Sequence, residues 1–154
     1  MGQIANGNGG LNAVLGPANS DAEVLIQGTI NHYNGASVNL GVVLRWNNAN
    51  NWYKLLIDAN SLSIIKRVNG VSSTLVFIPF HAQDNKSYML RFRVIGAMLS
   101  GKAWLSNTTE PINWMVVTND TALTTGQAGI RVLVQPTTIV HIAMFQATTA
   151  TMGM

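Results

Sequence analysis

The sequence predicts an all-β protein, an antiparallel β-sandwich of jelly-roll type. Three observations carry this. Apolar residues recur with period two from Asp21 onward. Turn-forming Gly, Asn, Pro and Ser clusters separate the runs. No stretch has the 3.6-residue periodicity of a useful amphipathic helix. About ten short strands punctuated by turns suit a sandwich or jelly roll better than any helical architecture.

Residues 1–20 read as a loop-like lead-in, because NGNGG and GPANS concentrate small and turn-forming residues. Residues 21–149 carry the sandwich and 150–154 a tail. In 37–46, Val38, Leu40, Val42, Leu44 and Trp46 fall on one face, and Asn39, Gly41, Val43 and Arg45 on the other. In 51–58, Tyr53, Leu55 and Ile57 face one way, and Trp52, Lys54 and Asp58 the other. The run at 61–68 meets 71–80 through Asn69-Gly70, the strongest short hairpin signal, since a type I′ turn needs positive φ at both positions. In 87–96, Tyr88, Leu90, Phe92 and Val94 form an inward row; Met89, Arg91, Arg93 and Ile95 form an outward one. Runs beginning at Gly101, Asn113, Gly129 and Thr137 complete the set.

Composition bounds function. Of 154 residues, 47% are hydrophobic and 10% charged, against roughly 25% charged in an average soluble domain. Such a chain does not fit intrinsic disorder. No apolar run reaches the ~20 residues of a membrane-spanning helix. A net charge of +3 is weak for nucleic acid; neither nucleic acid nor membrane is an expected partner. With no Cys, disulfides, thiolate nucleophiles and Cys-ligated zinc are excluded. MGQIANGNGG lacks the basic and apolar regions of a signal peptide.

The order of features resembles the concanavalin A-like (laminin-G/lectin-like) jelly-roll domains of bacterial extracellular proteins. The likeness spans Asp21 to Thr149. It rests on Arg45-Trp46 before the Trp52-Tyr53 strand, Tyr88 to Arg91, Lys102 to Trp104, Glu110-Pro111 with Trp114, and Gly126, Gly129 and Arg131. It implies an extracellular or cell-surface location. Two departures stand out. The stretch His141 to Phe145 lacks the acids with which relatives help hold calcium, so no metal or other cofactor is expected. The chain is also expected to begin after the relatives' first strand, leaving an open sheet edge.

Chemistry-bearing residues are few. Glycoside hydrolysis needs two carboxylates across the scissile bond, yet of Asp21, Glu23, Asp58, Asp84, Glu110 and Asp120 only the first two are close in sequence. His32, His81 and His141 lack a G-x-S-x-G partner and suit structural roles. No catalytic residue is expected. The loop RWNNANNWYK instead gathers Arg45, Trp46, Asn48, Asn51, Trp52 and Lys54. Indole rings stack on apolar sugar faces while amides take hydroxyls, so this loop is the candidate glycan or polysaccharide site, with Trp52 exposed. A secondary face comprises Arg91, Arg93, Trp104 and Arg131. The expected function is a non-catalytic carbohydrate-binding or adhesive module. The alternative is a self-assembling subunit (a homo-oligomer, fibre or shell) built on outward rows that mix Arg with aliphatics.

Overall fold

The computed structural model describes residues 2–5 and 7–151. Among them lie twelve strands: β1 Gly2–Ala5, β2 Gly9–Asn19, β3 Ala22–Ile30, β4 Leu40–Asn48, β5 Asn51–Ile57, β6 Ser61–Val68, β7 Val71–Pro79, β8 Ser87–Ile95, β9 Met98–Leu105, β10 Val116–Asn119, β11 Gly126–Val134 and β12 Ile139–Thr149. They form two six-stranded sheets. The first has the order β1-β12-β3-β8-β9-β10 and the second β2-β11-β4-β5-β6-β7. Every pairing between neighbours is antiparallel. Among the described residues, no helix is long and apolar enough to cross a membrane.

The period-two rows become the core. Val24 and Ile26 of β3 and Leu90, Phe92 and Val94 of β8 pack from the first sheet. Leu40, Val42 and Leu44 of β4, Tyr53, Leu55 and Ile57 of β5, and Leu62 and Ile64 of β6 meet them from the second. Alternation puts these side chains on one face of each pleat, and burial of apolar area holds the faces together. The β6–β7 turn has Asn69 and Gly70 at φ 51° and 79°, the two positive values a type I′ turn requires.

Two expectations need correction. Residues 1–20 are not a loop-like lead-in: within them β1 pairs with β12 and the eleven-residue β2 pairs with β11. Glycines raised the turn signal there, but tertiary pairing decides strand formation. Of the expected tail, Ala150 and Thr151 follow β12 without regular structure, and residues 152–154 lie outside the described residues.

The second correction concerns β4. Its pairing with β11 matches Gly129 to Val43 but Gln127 to Trp46, so β4 carries one extra residue. Arg45, at φ 50°, is that β-bulge. Beyond it the faces exchange. Trp46 leaves the inward row and joins Val43 and Trp52 in a separate apolar cluster on the outer face of the second sheet.

Candidate functional site

The outer face of the second sheet is built from β2, β11, β4, β5, β6 and β7. Its centre is the cluster of Val43, Trp46 and Trp52, with Val14 and Ile65 packed on its sides. Side chains from four strands, β2, β4, β5 and β6, therefore meet above the sheet. Trp52 is only 3% exposed, and its indole N–H donates to the Ala49 carbonyl at 3.0 Å. The expectation of an exposed Trp52 is overturned. Lys54, its row partner, is buried too, so the row did not signal exposure. Neither ring offers an open face to a sugar, because Trp46 is buried as well.

Over Trp52 lies Arg131, its guanidinium carbon 5.0 Å from the ring centroid. A planar guanidinium on an indole face gains cation–π energy and is held in one orientation. Arg131 Nη1 also donates to Asn12 Oδ1 of β2. On the other side, Trp52 stands opposite Arg67 of β6 in the ladder. Arg67 Nη1 donates to Ser72 Oγ of β7 at 2.8 Å. The result is a polar strip, Asn12–Arg131–(Trp52)–Arg67–Ser72, running across the strands on an apolar base.

Beneath the strip is Lys54. Its Nζ donates to Asn39 Oδ1 at 2.6 Å within the buried face. Burial, helped by the Arg131 charge and opposed by Asp58, pushes its ammonium down to about 7. Burial also lowers Arg131 from its ordinary value, and the Arg67 charge adds to that shift. Space for the lysine stem comes from Gly41: a Cβ there would fall 2.9 Å from the backbone oxygens of Arg131 and Leu55, and against Lys54 itself.

The hairpin tip borders this strip. Asn48 is exposed, but its Oδ1 accepts the Asn50 N–H at 2.9 Å and Asn51 Nδ2 at 3.0 Å. Asn51 Oδ1 accepts the Asn69 N–H at 3.0 Å, tying the β4–β5 and β6–β7 tips together. These amides brace the loop, leaving fewer free groups than their number suggests. Arg45 is not in the site at all. It is buried at one end of the sandwich, where Nε donates to the Ser20 carbonyl and Nη1 to the Leu123 carbonyl, both at 2.8 Å. The bulge aims it there.

The expected secondary face divides. Arg91 and Arg93 of β8 and Trp104 of β9 share the outer face of the first sheet, whereas Arg131 belongs to the second. Arg91 makes a two-pronged pair with Glu110 at 2.9 and 3.1 Å. Glu23 bridges Arg91 and Arg93. Lys102 reaches Glu110 at 2.8 Å and lies 5.0 Å from the Trp114 centroid; Arg93 lies 5.0 Å from the same ring. Burial would raise Glu110, but hydrogen bonds from Arg91 and Lys102 hold it below its ordinary value. This face is a charge-satisfied network. Charge matching and a loop folded back from 106–115 make it closed chemistry.

The remaining carboxylates are also engaged. Asp120 accepts Tyr53 Oη and Lys66 Nζ, both at 2.6 Å. Burial, with the Asp120 bond, pushes the Tyr53 phenol up to about 12. Asp84 accepts the Tyr33 N–H at 2.8 Å and pairs with His32 at the same distance. Asp58 accepts the N–H groups of Asn60 and Ser61 at 2.8 Å. Among the described residues, no group of three or more His, Cys, Asp or Glu is placed to hold a metal. Sequence reasoning missed Asn12, hidden in the supposed lead-in. It also left Arg67 out of the site, although Arg67 alternates outward with Ile65.

No family model matches the chain, and no curated protein matches it. Solved structures do. A carbohydrate-binding module, CBM66 from Bacillus subtilis, superposes with TM-score 0.76 at 20% identity, covering 93% of this chain and 84% of that one. Sheep galectin-11 gives TM-score 0.57 at 8% identity over 92% and 98%. The Caenorhabditis elegans galectin LEC-6 gives 0.56 at 11% over 92% and 96%. At these identities the likeness is one of fold. The chain has the concanavalin A-like fold, a jelly-roll β-sandwich.

Proposed function

We propose that the protein is a non-catalytic, extracellular carbohydrate-binding module that takes glycan or polysaccharide chains on the outer face of its second sheet. The observation that carries this is the strip from Asn12 through Arg131 and Arg67 to Ser72. Guanidinium and amide groups are good donors to sugar hydroxyls, and a strip across several strands suits an extended chain better than a small molecule. Trp52 enters as the base on which Arg131 is ordered, not as a stacking platform. Pre-ordering a donor lowers the entropy cost of binding. Asn48 and the rest of the hairpin tip form one wall. The binding reading is supported further by the carboxylates, since all six acidic side chains are held by neighbouring groups.

The test is affinity electrophoresis through gels containing a panel of polysaccharides, followed by calorimetry on any that retard the protein. Arg131→Gln is expected to weaken binding by about tenfold or more. Lys86→Gln, a charge change in the β7–β8 loop, is expected to leave it intact. Binding that survives Arg131→Gln unchanged removes the strip from the reading.

A second reading, self-association, is favoured by one apolar cleft of about 330 Å³ between the sheet edges. It is lined by Leu11, Ala13 and Leu15 of β2, Ile130 of β11, and Ile142 and Phe145 of β12, and Leu15 is 62% exposed. Light scattering across a concentration series decides it. A mass that grows with concentration and falls back in Leu15→Asn supports assembly; a constant monomer mass retires it.

A further inference from the structure

The distribution of opposite charges separates the two outer faces. Of the nine Lys and Arg residues, Arg45, Lys66, Arg91, Arg93 and Lys102 each pair with a carboxylate. Among the described residues, Lys54, Lys86, Arg67 and Arg131 have no such partner. Lys86 sits in an exposed loop. The other three all belong to the outer face of the second sheet. No carboxylate pairs with a cation there, because the six acids are committed to the first sheet and to the loops.

From this we propose, resting on the carbohydrate-binding reading above, that the ligand is an anionic polysaccharide whose carboxylate or sulfate groups are taken by Arg67 and Arg131. The two arginines stand on either side of Trp52: Arg131 stacks on its ring, and Arg67, opposite it in the ladder, turns its guanidinium to Ser72. Each is anchored through one nitrogen by a neutral acceptor, Asn12 Oδ1 or Ser72 Oγ. Each keeps further N–H donors in the planar arrangement that matches a carboxylate or sulfate. Their like charges repel: burial lowers Arg131 from its ordinary value, and the Arg67 charge lowers it further. Two like charges held side by side without a counter-ion cost stability, and an anion bound between them recovers that cost. The strip carries too few cations to track a nucleic-acid backbone, where affinity grows with the number of phosphates neutralised. Asn12, Ser72 and the hairpin amides supply neutral partners for the hydroxyls of a sugar chain.

The experiment compares matched probes at about 50 mM and about 300 mM salt: dextran against dextran sulfate, and methyl-esterified against de-esterified polygalacturonate. Single-stranded DNA of similar charge is a further arm. Proteins are wild type, Arg67→Gln, Arg131→Gln and Lys86→Gln, each first confirmed folded by its thermal transition. The expected result is binding to a charged member of a pair over its neutral partner. The loss is expected to be about tenfold or more in either Arg variant, with little change in Lys86→Gln. Preference for dextran sulfate assigns sulfate; preference for de-esterified polygalacturonate assigns carboxylate. Binding to charged probes that weakens equally in Lys86→Gln is bulk polyelectrolyte attraction and overturns the proposal. So does DNA bound as tightly as the polysaccharide. Binding of neutral probes alone, lost in Arg131→Gln, overturns the anionic assignment and leaves the carbohydrate-binding reading standing. Binding of no saccharide at all overturns both.

Discussion

Replacing Lys54 by Met separates the cost of a buried charge from everything else on the outer face. Burial moves the Lys54 ammonium from the ordinary 10.5 to about 7. A depression of that size corresponds to about 5 kcal/mol of differential interaction between charged and neutral forms. The sign follows from proton counting. Below about pH 7 the group is charged in both folded and unfolded chains, so the folded state carries the whole cost. Between about 7 and 10.5 the folded state holds the amine neutral while the unfolded chain still binds a proton, so stability rises with pH. Above that window the cost is gone. Lys54→Met removes the titration and leaves Asn39 Oδ1 without its donor, a penalty of about 1–3 kcal/mol that does not depend on pH. Urea unfolding followed by tryptophan emission at pH 6 to 10 measures both proteins. The stability of the variant minus that of wild type is expected to shrink by several kcal/mol, up to about 5, from the low end of the window to the high end. A difference that is flat with pH refutes the reasoning, since it means Lys54 keeps its ordinary value in the fold. Arg131→Gln removes a like charge and is expected to raise the lower end of the window, narrowing it.

Gly41→Ala places a methyl group against the Arg131 and Leu55 backbone oxygens, which cannot step aside, and is expected to cost about 2 kcal/mol or more in a urea midpoint series. Burial would raise the carboxyls of Glu110 and Asp120, but hydrogen bonds hold both below their ordinary values, from Arg91 and Lys102 for Glu110 and from Lys66, Tyr53 and the Ala122 N–H for Asp120. Their contribution is therefore present above the ordinary carboxylate range and is lost as pH falls through and below it. Glu110→Gln is expected to flatten that acid limb in a pH-dependent thermal melt. Trp52→Ala is expected to destabilise by about 3–5 kcal/mol, as a buried aromatic would. Iodide is correspondingly expected to quench Trp52 poorly in the native protein.

Much of the fold was legible because a half-buried strand repeats every two residues. The row Tyr88, Leu90, Phe92 and Val94 reads inward in the sequence and is buried in the structure. Asn69-Gly70 reads as a type I′ hairpin and has its dihedral signs. The site was less legible, for two physical reasons. A bulge adds one residue without any local signature, since Arg45 is not a residue that favours positive φ. Everything after it on β4 then changes face, so Trp46 could not be placed by counting. The outer face of the second sheet is also packed across strands, so a polar row partner did not mean exposure: Lys54 lies buried beside Trp52. Residues 9–19 were misread because glycine-rich composition describes the unpaired chain, whereas β11 supplies the pairing.

The extra residue at Arg45 also divides the energetics of one strand between two independent accounts. Leu40, Val42 and Leu44 of β4 answer to the cluster between the sheets; Val43 and, past the bulge, Trp46 answer to the cluster on the outer face. Perturbations at Val42 and at Trp46, though only one helical-turn's worth of sequence apart, touch no common cluster. Their effects on stability are therefore expected to add, within about 0.5 kcal/mol. A swap within either cluster, such as Val43 with Trp46, is expected to couple. A single strand thus carries two sets of constraints, and either can drift in sequence without consulting the other.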